Sequence, residues 1–310
     1  MMLDNIDLKL SKEQSGGADF LQSVPNCLTS IKSRGVTEYG EYVTGYLGKL
    51  KVSVTENRVK IFDSSLCKDY LGDNFKTLSK SDGRREIEKI SDLLHLPFQN
   101  ADVSRIDLAQ NFIMQYPEKV YYSYLGEAKY YSRLEQNNGL YYQNNKRTLL
   151  FYGKVHEQKI KQQPIPELYQ NKHVLRYELR FLKGLCKEFN LSELKAYLLY
   201  DEVFYNNLVK RWRDEYLWIQ KISTKLNTMK ATGSKKQFIE NLALFTILEL
   251  GQPSILGKVK EWQATGEISK KQAFELRQSV KEICTIPENN EVQNDLINEL
   301  TRKVKEAARY

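Results

Sequence analysis

Long apolar runs are missing from this 310-residue chain, and the longest, such as Leu242 to Leu248, is far too short to cross a bilayer. No membrane association is therefore expected. Met1 to Lys12 carries acids among its apolar residues and lacks the core of a signal peptide. The four cysteines, Cys27, Cys67, Cys186 and Cys284, are widely spaced and form no Cys-x-x-Cys. That pattern argues against a zinc site and for a reduced, cytoplasmic setting. Histidine is scarcer still: His95, His156 and His173 are the full set, and no two lie two residues apart. No Gly-x-x-x-x-Gly-Lys-[Ser/Thr] loop occurs, so ATP hydrolysis is not expected, and no Gly-x-Ser-x-Gly elbow is present.

Positive charge and tyrosine are what the chain has in excess. Its 47 Lys and Arg outnumber 39 Asp and Glu, for a net charge of +8 and a pI near 9.0. Such a balance favours a polyanionic partner, although an unspecialised basic surface would look the same. Twenty tyrosines accompany it, some interleaved with bases, as in Arg211-Trp212-Arg213, Tyr130-Tyr131-Ser132-Arg133 and Tyr141-Tyr142 ahead of Lys146-Arg147. Rings beside cations can stack on unpaired bases, while most of these tyrosines read as ordinary strand residues. Lys235-Lys236 and Lys270-Lys271 read as solvated helix faces. A hydrophobic content of 41% with 28% charge describes a globular protein of one large or two ordinary domains.

Along the chain, residues 1–35 read as a flexible N-terminal arm around Gly16-Gly17. Strands are expected at Lys49–Val54 and Arg58–Phe62 about the turn Thr55-Glu56-Asn57, and a helix from Ser81 to Pro97. Further strands follow at Val103–Phe112, in part of Val120–Tyr131, at Leu140–Gln143, Arg147–Val155 and His173–Phe181. Asn-rich turns and the Pro164/Pro166 loop separate them. The order predicts an α+β domain over residues 36–190, an antiparallel sheet with helices on one face. Beyond it, an all-α region over 191–310 is expected, with helices opened by Ser192 and Ser234 and others at Glu202–Lys221, Ser269–Ile283 and Glu291–Ala308.

Three segments carry the chemistry: Ser-Arg-Ile-Asp-Leu-Ala at 104–109, Leu-Leu-Phe-Tyr-Gly-Lys-Val-His-Glu at 149–157 and Leu-Arg-Tyr-Glu-Leu-Arg-Phe at 175–181. Alternation puts Arg105, Asp107, Ala109 and Asn111 on one face of the first strand. On the third, Arg176, Glu178 and Arg180 share a face. Acids without neighbouring histidines suit an oxygen-loving cation such as Mg²⁺ or Mn²⁺. The same pattern also describes cross-strand salt bridges on an exposed sheet, worth little in stability. In the middle segment Tyr152 and Lys154 are same-face neighbours if the strand stays regular, and the ammonium would favour phenolate. Glu157 then falls on the opposite face, unless the chain has already turned into a helix.

In order, spacing and flanking apolar residues, Arg105-Ile106-Asp107-Leu108-Ala109, Phe151-Tyr152-Gly153-Lys154 with Glu157, and Arg176-Tyr177-Glu178-Leu179 resemble rolling-circle replication initiators. The resemblance is to the group of staphylococcal plasmid initiators and the gene II protein of filamentous phages, and residues 85–185 carry it. It implies a DNA nicking-joining endonuclease. Tyr152 would be the nucleophile with Lys154 beside it. Asp107, Glu178 and Glu157 would hold Mg²⁺ or Mn²⁺, and Arg105, Arg176, Arg180 and Arg147 would contact DNA. Plasmid members often carry a second acid four residues after the first, where this chain has Asn111. Many initiators use a His-hydrophobic-His pair, which is absent here. His156 stays open as a fourth ligand or proton carrier, while His95 and His173 read as structural.

The implied partners are single-stranded or cruciform origin DNA, a host helicase and a host polymerase, in the cytoplasm of a bacterial cell. A homodimer is compatible with that reading. Two rivals remain at this point: a relaxase of a conjugative or mobilizable element, which would use the same site, and a non-catalytic origin-binding protein, in which the acids are salt bridges.

Overall fold

The computed structural model describes residues 2–222, 250–285 and 295–309, together with Ile239, Leu242, Ala243, Thr246 and Ile247. Strand β1 (Leu3–Ser11) and helix α1 (Phe20–Ser23) precede a meander of β2 (Ser30–Thr37), β3 (Gly40–Leu47), β4 (Leu50–Thr55) and β5 (Arg58–Phe62). Helices α2 (Leu66–Leu71) and α3 (Lys80–Leu94) lead to the long strand β6 (Asp102–Met114). After α4 (Glu118–Tyr122) come β7 (Leu125–Ala128), β8 (Ser132–Gln136), β9 (Gly139–Gln143) and β10 (Arg147–Gly153). Helix α5 (Lys154–Ile160), β11 (His173–Phe181), α6 (Leu185–Glu188), α7 (Glu202–Leu217) and β12 (Ile219–Lys221) follow.

Ten strands form one sheet in the order β2-β3-β4-β5-β1-β6-β11-β10-β9-β8, and the described pairings are antiparallel. The α+β expectation holds. Alternation explains the meander: Leu50, Val52 and Val54 of β4 are buried while Lys51, Ser53 and Thr55 are partly exposed. Strand β11 differs, because Val174 to Leu179 are buried on both faces. Its apolar face meets α7, which the Asp201 side chain caps by accepting from Phe204 N at 2.9 Å. There the Tyr177 ring stacks on Phe151 at 4.6 Å and lies 4.8 Å from Trp212. The Tyr177 hydroxyl donates to Trp212 O at 3.0 Å, so the buried phenol is satisfied.

Several expectations need correction. Residues 1–35 are no flexible arm: Leu3–Ser11 is a central strand between β5 and β6, with Ile6, Leu8 and Leu10 buried. The α3 cap is Ser79, not Ser81, since Ser79 and Asp82 form a reciprocal capping box. Strand β10 stops at Gly153, two residues before its expected end, and Lys154 opens α5. Residues 118–122 are helical, and Ser192 starts no helix, the short turn of 3₁₀ helix there being Ala196–Tyr200.

The chain divides into two compact units, one of Met1–Tyr122, Glu127–Gln220 and Glu299–Tyr310, the other of Ser123–Gly126 and Lys221–Asn298. Helix α7 therefore belongs with the sheet, and the change of unit falls near 220 rather than 190. In the second unit, helices Gln252–Thr265 and Lys270–Thr285 are joined through Gly266, whose φ of 77° needs glycine's freedom. A last helix runs Asp295–Ala307. Most of the helix expected from Ser234, Lys235-Lys236 and the first residues of the Glu291–Ala308 helix lie outside the described residues. Among the described residues no helix is long and apolar enough to cross a membrane.

Candidate active site

Strands β6, β11 and β10 lie side by side, and their register gathers the three sequence segments. Arg180 pairs with Asp107, Glu178 with Ala109 and Arg176 with Asn111. On the other side Tyr152 pairs with Arg176, Leu150 with Glu178 and Thr148 with Arg180. Directly paired residues share a face, so Asp107, Glu178 and Tyr152 are all presented on the side away from α7. Asp107 and Glu178 are one diagonal step apart on adjacent strands. Arg180 spans them, donating to Glu178 Oε2 at 3.0 and 2.6 Å, with its Nε 3.9 Å from Asp107 Oδ2.

This polar face is covered, contrary to the expectation of a solvent-facing one. Asp107 and Arg176 are 0% exposed and Glu178 is 3% exposed. Part of the cover is β1. A register shift against β6 between Leu3 and Ile6 lets two consecutive residues, Asp4 and Asn5, reach the same face. Asn5 Nδ2 donates to Asp107 Oδ2 at 3.2 Å, and Asp4 Oδ2 accepts from Arg176 at 2.5 Å. Residues 74 and 75 supply the rest, through Asn74 O, which accepts from Arg176 at 2.9 Å, and through both carbonyls, which accept from Asn111 Nδ2. Asp4 was missed in the sequence. The alternation Ile6, Leu8, Leu10 against Asp7, Lys9, Ser11 signals the strand, but it would put Asp4 with the apolar residues, and only the register shift turns it to this face.

Glu178 sits at the centre. Its Oε1 accepts from Arg176 Nε at 2.7 Å and from the Tyr152 hydroxyl at 2.7 Å. Burial pushes this carboxyl up, but the guanidiniums of Arg176 and Arg180 outweigh burial and hold it well below the usual carboxylate range. Tyr152 is pushed the other way, well above the usual phenol range, by burial first and then by the Glu178 anion. Lys154 therefore does not yield a phenolate. Because α5 begins at that residue, its ammonium donates to Glu157 Oε2 at 2.7 Å, one helical turn on, and lies 6.0 Å from the Tyr152 ring centre. Burial and Arg176 lower the Lys154 ammonium to about 8, Glu157 opposing them. Glu157 is lowered to about 2: burial raises it, but Lys154, Lys161 and Gln158 prevail.

Tyr152, Arg180, His156, Glu157, Lys161 and Tyr141 are among the residues that line one open cleft of about 290 Å³. The structure thus brings Tyr152, Lys154, Glu157, Glu178, Arg176 and Arg180 together. Arg105 is nearby but engaged, its fork closed on both Asp107 oxygens at 2.9 and 2.7 Å. Asp107 is raised to about 6, burial outweighing Arg105 and Arg180. Arg147 is elsewhere. It lies on the α7 face, bonded to Glu188 at 2.9 Å and Glu215 at 2.5 Å, where Tyr131 and Arg211 also hold Glu215. It ties the sheet to α7 rather than facing the cleft.

These donors do not fit a divalent cation as they stand. Both oxygens of Asp107 and both of Glu178 already accept from guanidinium nitrogens, and three arginines balance the charge a metal would meet. Among the described residues no group of three or more His, Cys, Asp or Glu is placed to hold a metal ion. Mg²⁺, which dehydrates reluctantly, is accordingly expected to bind the DNA-free protein no tighter than about a millimolar Kd, the weak end of the range seen for calcium sites built from oxygens. Calorimetric titration checks this, and micromolar binding lost in Asp107→Asn would contradict it.

No curated protein sequence matches the chain. A family model does, described as the N-terminal region of the replication-associated gene II protein and matching residues 20–212, from before β2 into α7. The matched stretch holds every cleft residue and all three charged strands, and it covers well over half the chain. The chain therefore belongs to the replication-associated proteins of the filamentous-phage gene II type.

Proposed function

We propose that this phage replication protein nicks and rejoins origin DNA by transesterification, with Tyr152 as the nucleophile. One observation carries the reading: the Tyr152 hydroxyl is hydrogen-bonded at 2.7 Å to a buried carboxylate, and the same residue lines an open cleft beside Arg180. A nucleophile next to its proton acceptor is the arrangement covalent catalysis needs. Gly139, opposite Tyr152 across β9 and β10, lets the two strands approach closely, since a Cβ there would lie 2.5 Å from Phe151 O and 3.1 Å from Tyr152 Cβ.

In the reaction the phenol oxygen bonds to phosphorus while its proton passes to Glu178 Oε1. The P–O3′ bond breaks, the 3′-oxygen takes a proton from water, and the proton held by Glu178 is released to the hydroxide so formed. The products are a 5′-phosphotyrosine and a 3′-hydroxyl that a host polymerase can extend. The phosphotyrosyl ester retains the energy of the diester, so a 3′-hydroxyl can reverse the attack and close a circle. Arg180 is the cation for the phosphate. It is partly exposed where Arg176 is sealed, and each hydrogen bond it turns from Glu178 to phosphate leaves Glu178 a better base. No step passes through a metal. Asp107 and Glu178, which would hold the Mg²⁺ or Mn²⁺ implied by the resemblance to offset charge on the phosphate, are engaged by Arg105 and Arg180.

The setting would be the cytoplasm of the bacterial host, with single-stranded or cruciform origin DNA as substrate, a host helicase for unwinding, and a homodimer as one form that could act there. Binding is expected to rest mainly on phosphate contacts. Log affinity should then fall with log salt by about 0.7 to 0.9 per phosphate neutralised, measured by fluorescence anisotropy from about 50 to 300 mM salt. A flat dependence would argue for another partner. Trapping and mapping the covalent adduct tests the assignment of Tyr152.

A further inference from the structure

The β8–β9 hairpin borders the cleft and bears on which nucleotide is attacked. Its two-residue turn is Asn137-Asn138, with Gln136 paired to Gly139. Across β9 and β10, Tyr141 is directly paired with Leu150, which precedes Tyr152 by two residues on the same face. Next to Tyr152 itself stands Gly139, buried and without a side chain. A Cβ there would fall 2.5 Å from Phe151 O, so the strands approach too closely for a side chain, and beside this contact the half-buried Tyr141 and the exposed Asn138 line the same cleft as Tyr152. Neither the Tyr141 hydroxyl nor the Asn138 amide makes a hydrogen bond among the described residues, while the pairing of β9 with β8 and β10 fixes where Tyr141 stands.

A flat aromatic ring, an amide with a donor and an acceptor, and a guanidinium, all lining the cleft that Tyr152 lines, match the parts of a nucleotide. Aromatic faces hold unpaired bases of any kind, and Asn amides read base edges. We infer that Tyr141 stacks on the base of a nucleotide adjoining the attacked phosphate, and that Asn138 reads that base's edge. The inference rests on the proposed role of Tyr152, and it makes the β8–β9 hairpin a specificity element for single-stranded origin DNA. Tyr141 here is a positioning residue that holds the substrate while Tyr152 reacts.

The test measures binding alone, by anisotropy with a single-stranded origin oligonucleotide, in a Tyr152→Phe background that cannot cleave. Tyr141→Ala is expected to weaken binding by roughly 5- to 150-fold, the range for losing one base–aromatic stack. Tyr141→Phe should keep full affinity, because the stack needs only the ring. Oligonucleotides made abasic at each of the two flanking positions supply the decisive comparison. At one of them, wild-type Tyr141 should lose the same factor, and Tyr141→Ala should then add no further loss. Asn138→Ala should flatten the preference among the four bases at that position. Losses that multiply at both positions would overturn the proposal, as would a Tyr141→Phe variant as weak as the alanine one. Thermal melting of each variant confirms that it is folded. Failure of the Tyr152 reading would appear separately, as an adduct on another residue, with the anisotropy result unchanged.

Discussion

A Tyr152→Phe chain is expected to fold, to bind origin DNA, and neither to nick it nor to become attached to it. The ring still packs, and the variant loses one hydrogen bond to a charged acceptor, about 1.5–3 kcal/mol at most. Glu178 keeps its arginines, Nε of Arg176 at 2.7 Å and Arg180 at 2.6 Å, so no buried anion is left alone. Chemistry should fall by a factor on the order of 10⁴ or more, as when other enzymes lose a covalent nucleophile. The rival tyrosines separate by position. Tyr177 is fully buried on the α7 face and donates to Trp212 O. Tyr142 is 0% exposed and meets Phe151 edge-on, on that same side. Tyr141 alone shares the cleft with Tyr152. Digesting the trapped adduct and locating the modified peptide decides between them. A modification at Tyr141, or full adduct formation by the phenylalanine variant, would end the assignment.

Strand faces were legible in the sequence because alternation is local. Asp107, Glu178 and Tyr152 were expected on polar faces, and the register of β6, β11 and β10 puts them on one side of the sheet. What could not be read is what covers that side. Asp4 and Asn5 are consecutive, and strict alternation would separate them; only the register shift against β6 lets both reach inward. The two glycines at 16 and 17 suggested a loose arm, and they outweighed the apolar alternation of β1. The turn from β10 into α5 was open in the sequence, since either course suits Gly153-Lys154. Yet that turn decides whether Lys154 faces the phenol or pairs with Glu157 at 2.7 Å. Arg147 shows the same limit from another direction. A cation at a strand start looks available to phosphate until Glu188 and Glu215, 41 and 68 residues later, are seen to claim it.

Removing the Arg176 guanidinium should be the most damaging single change to the fold around the cleft. Arg176 is 0% exposed, and its nitrogens reach Asp4, Glu178, Asn74 O and Asn111. Arg176→Met fills the space with an apolar chain and leaves Asp4 and Glu178 buried without their shared cation. Breaking a buried ion pair from one side typically costs about 3–5 kcal/mol, far more than a surface pair is worth. Urea unfolding at neutral pH should show a loss of that size. The loss should also depend on pH in a definite direction. In the intact protein Glu178 is held below its unfolded range, so its stabilisation is present above about pH 4.3 and fades as pH falls beneath that value. In the variant, burial is opposed only by Arg180 and the Tyr152 hydroxyl, and the folded carboxyl is pushed upward, so ionising it works against folding. The deficit relative to wild type should therefore be largest at about pH 7–8 and shrink as pH is lowered through the carboxylate range. Asp107, raised to about 6 by burial, titrates in both proteins and cancels in the difference. Arg105→Met offers the contrast, because Arg105 is partly exposed and its loss leaves Asp107 with Arg180 and Asn5 nearby. A variant at Arg176 that unfolds at the wild-type urea midpoint, or whose deficit grows on acidification, would show that the cluster is not held together by this guanidinium.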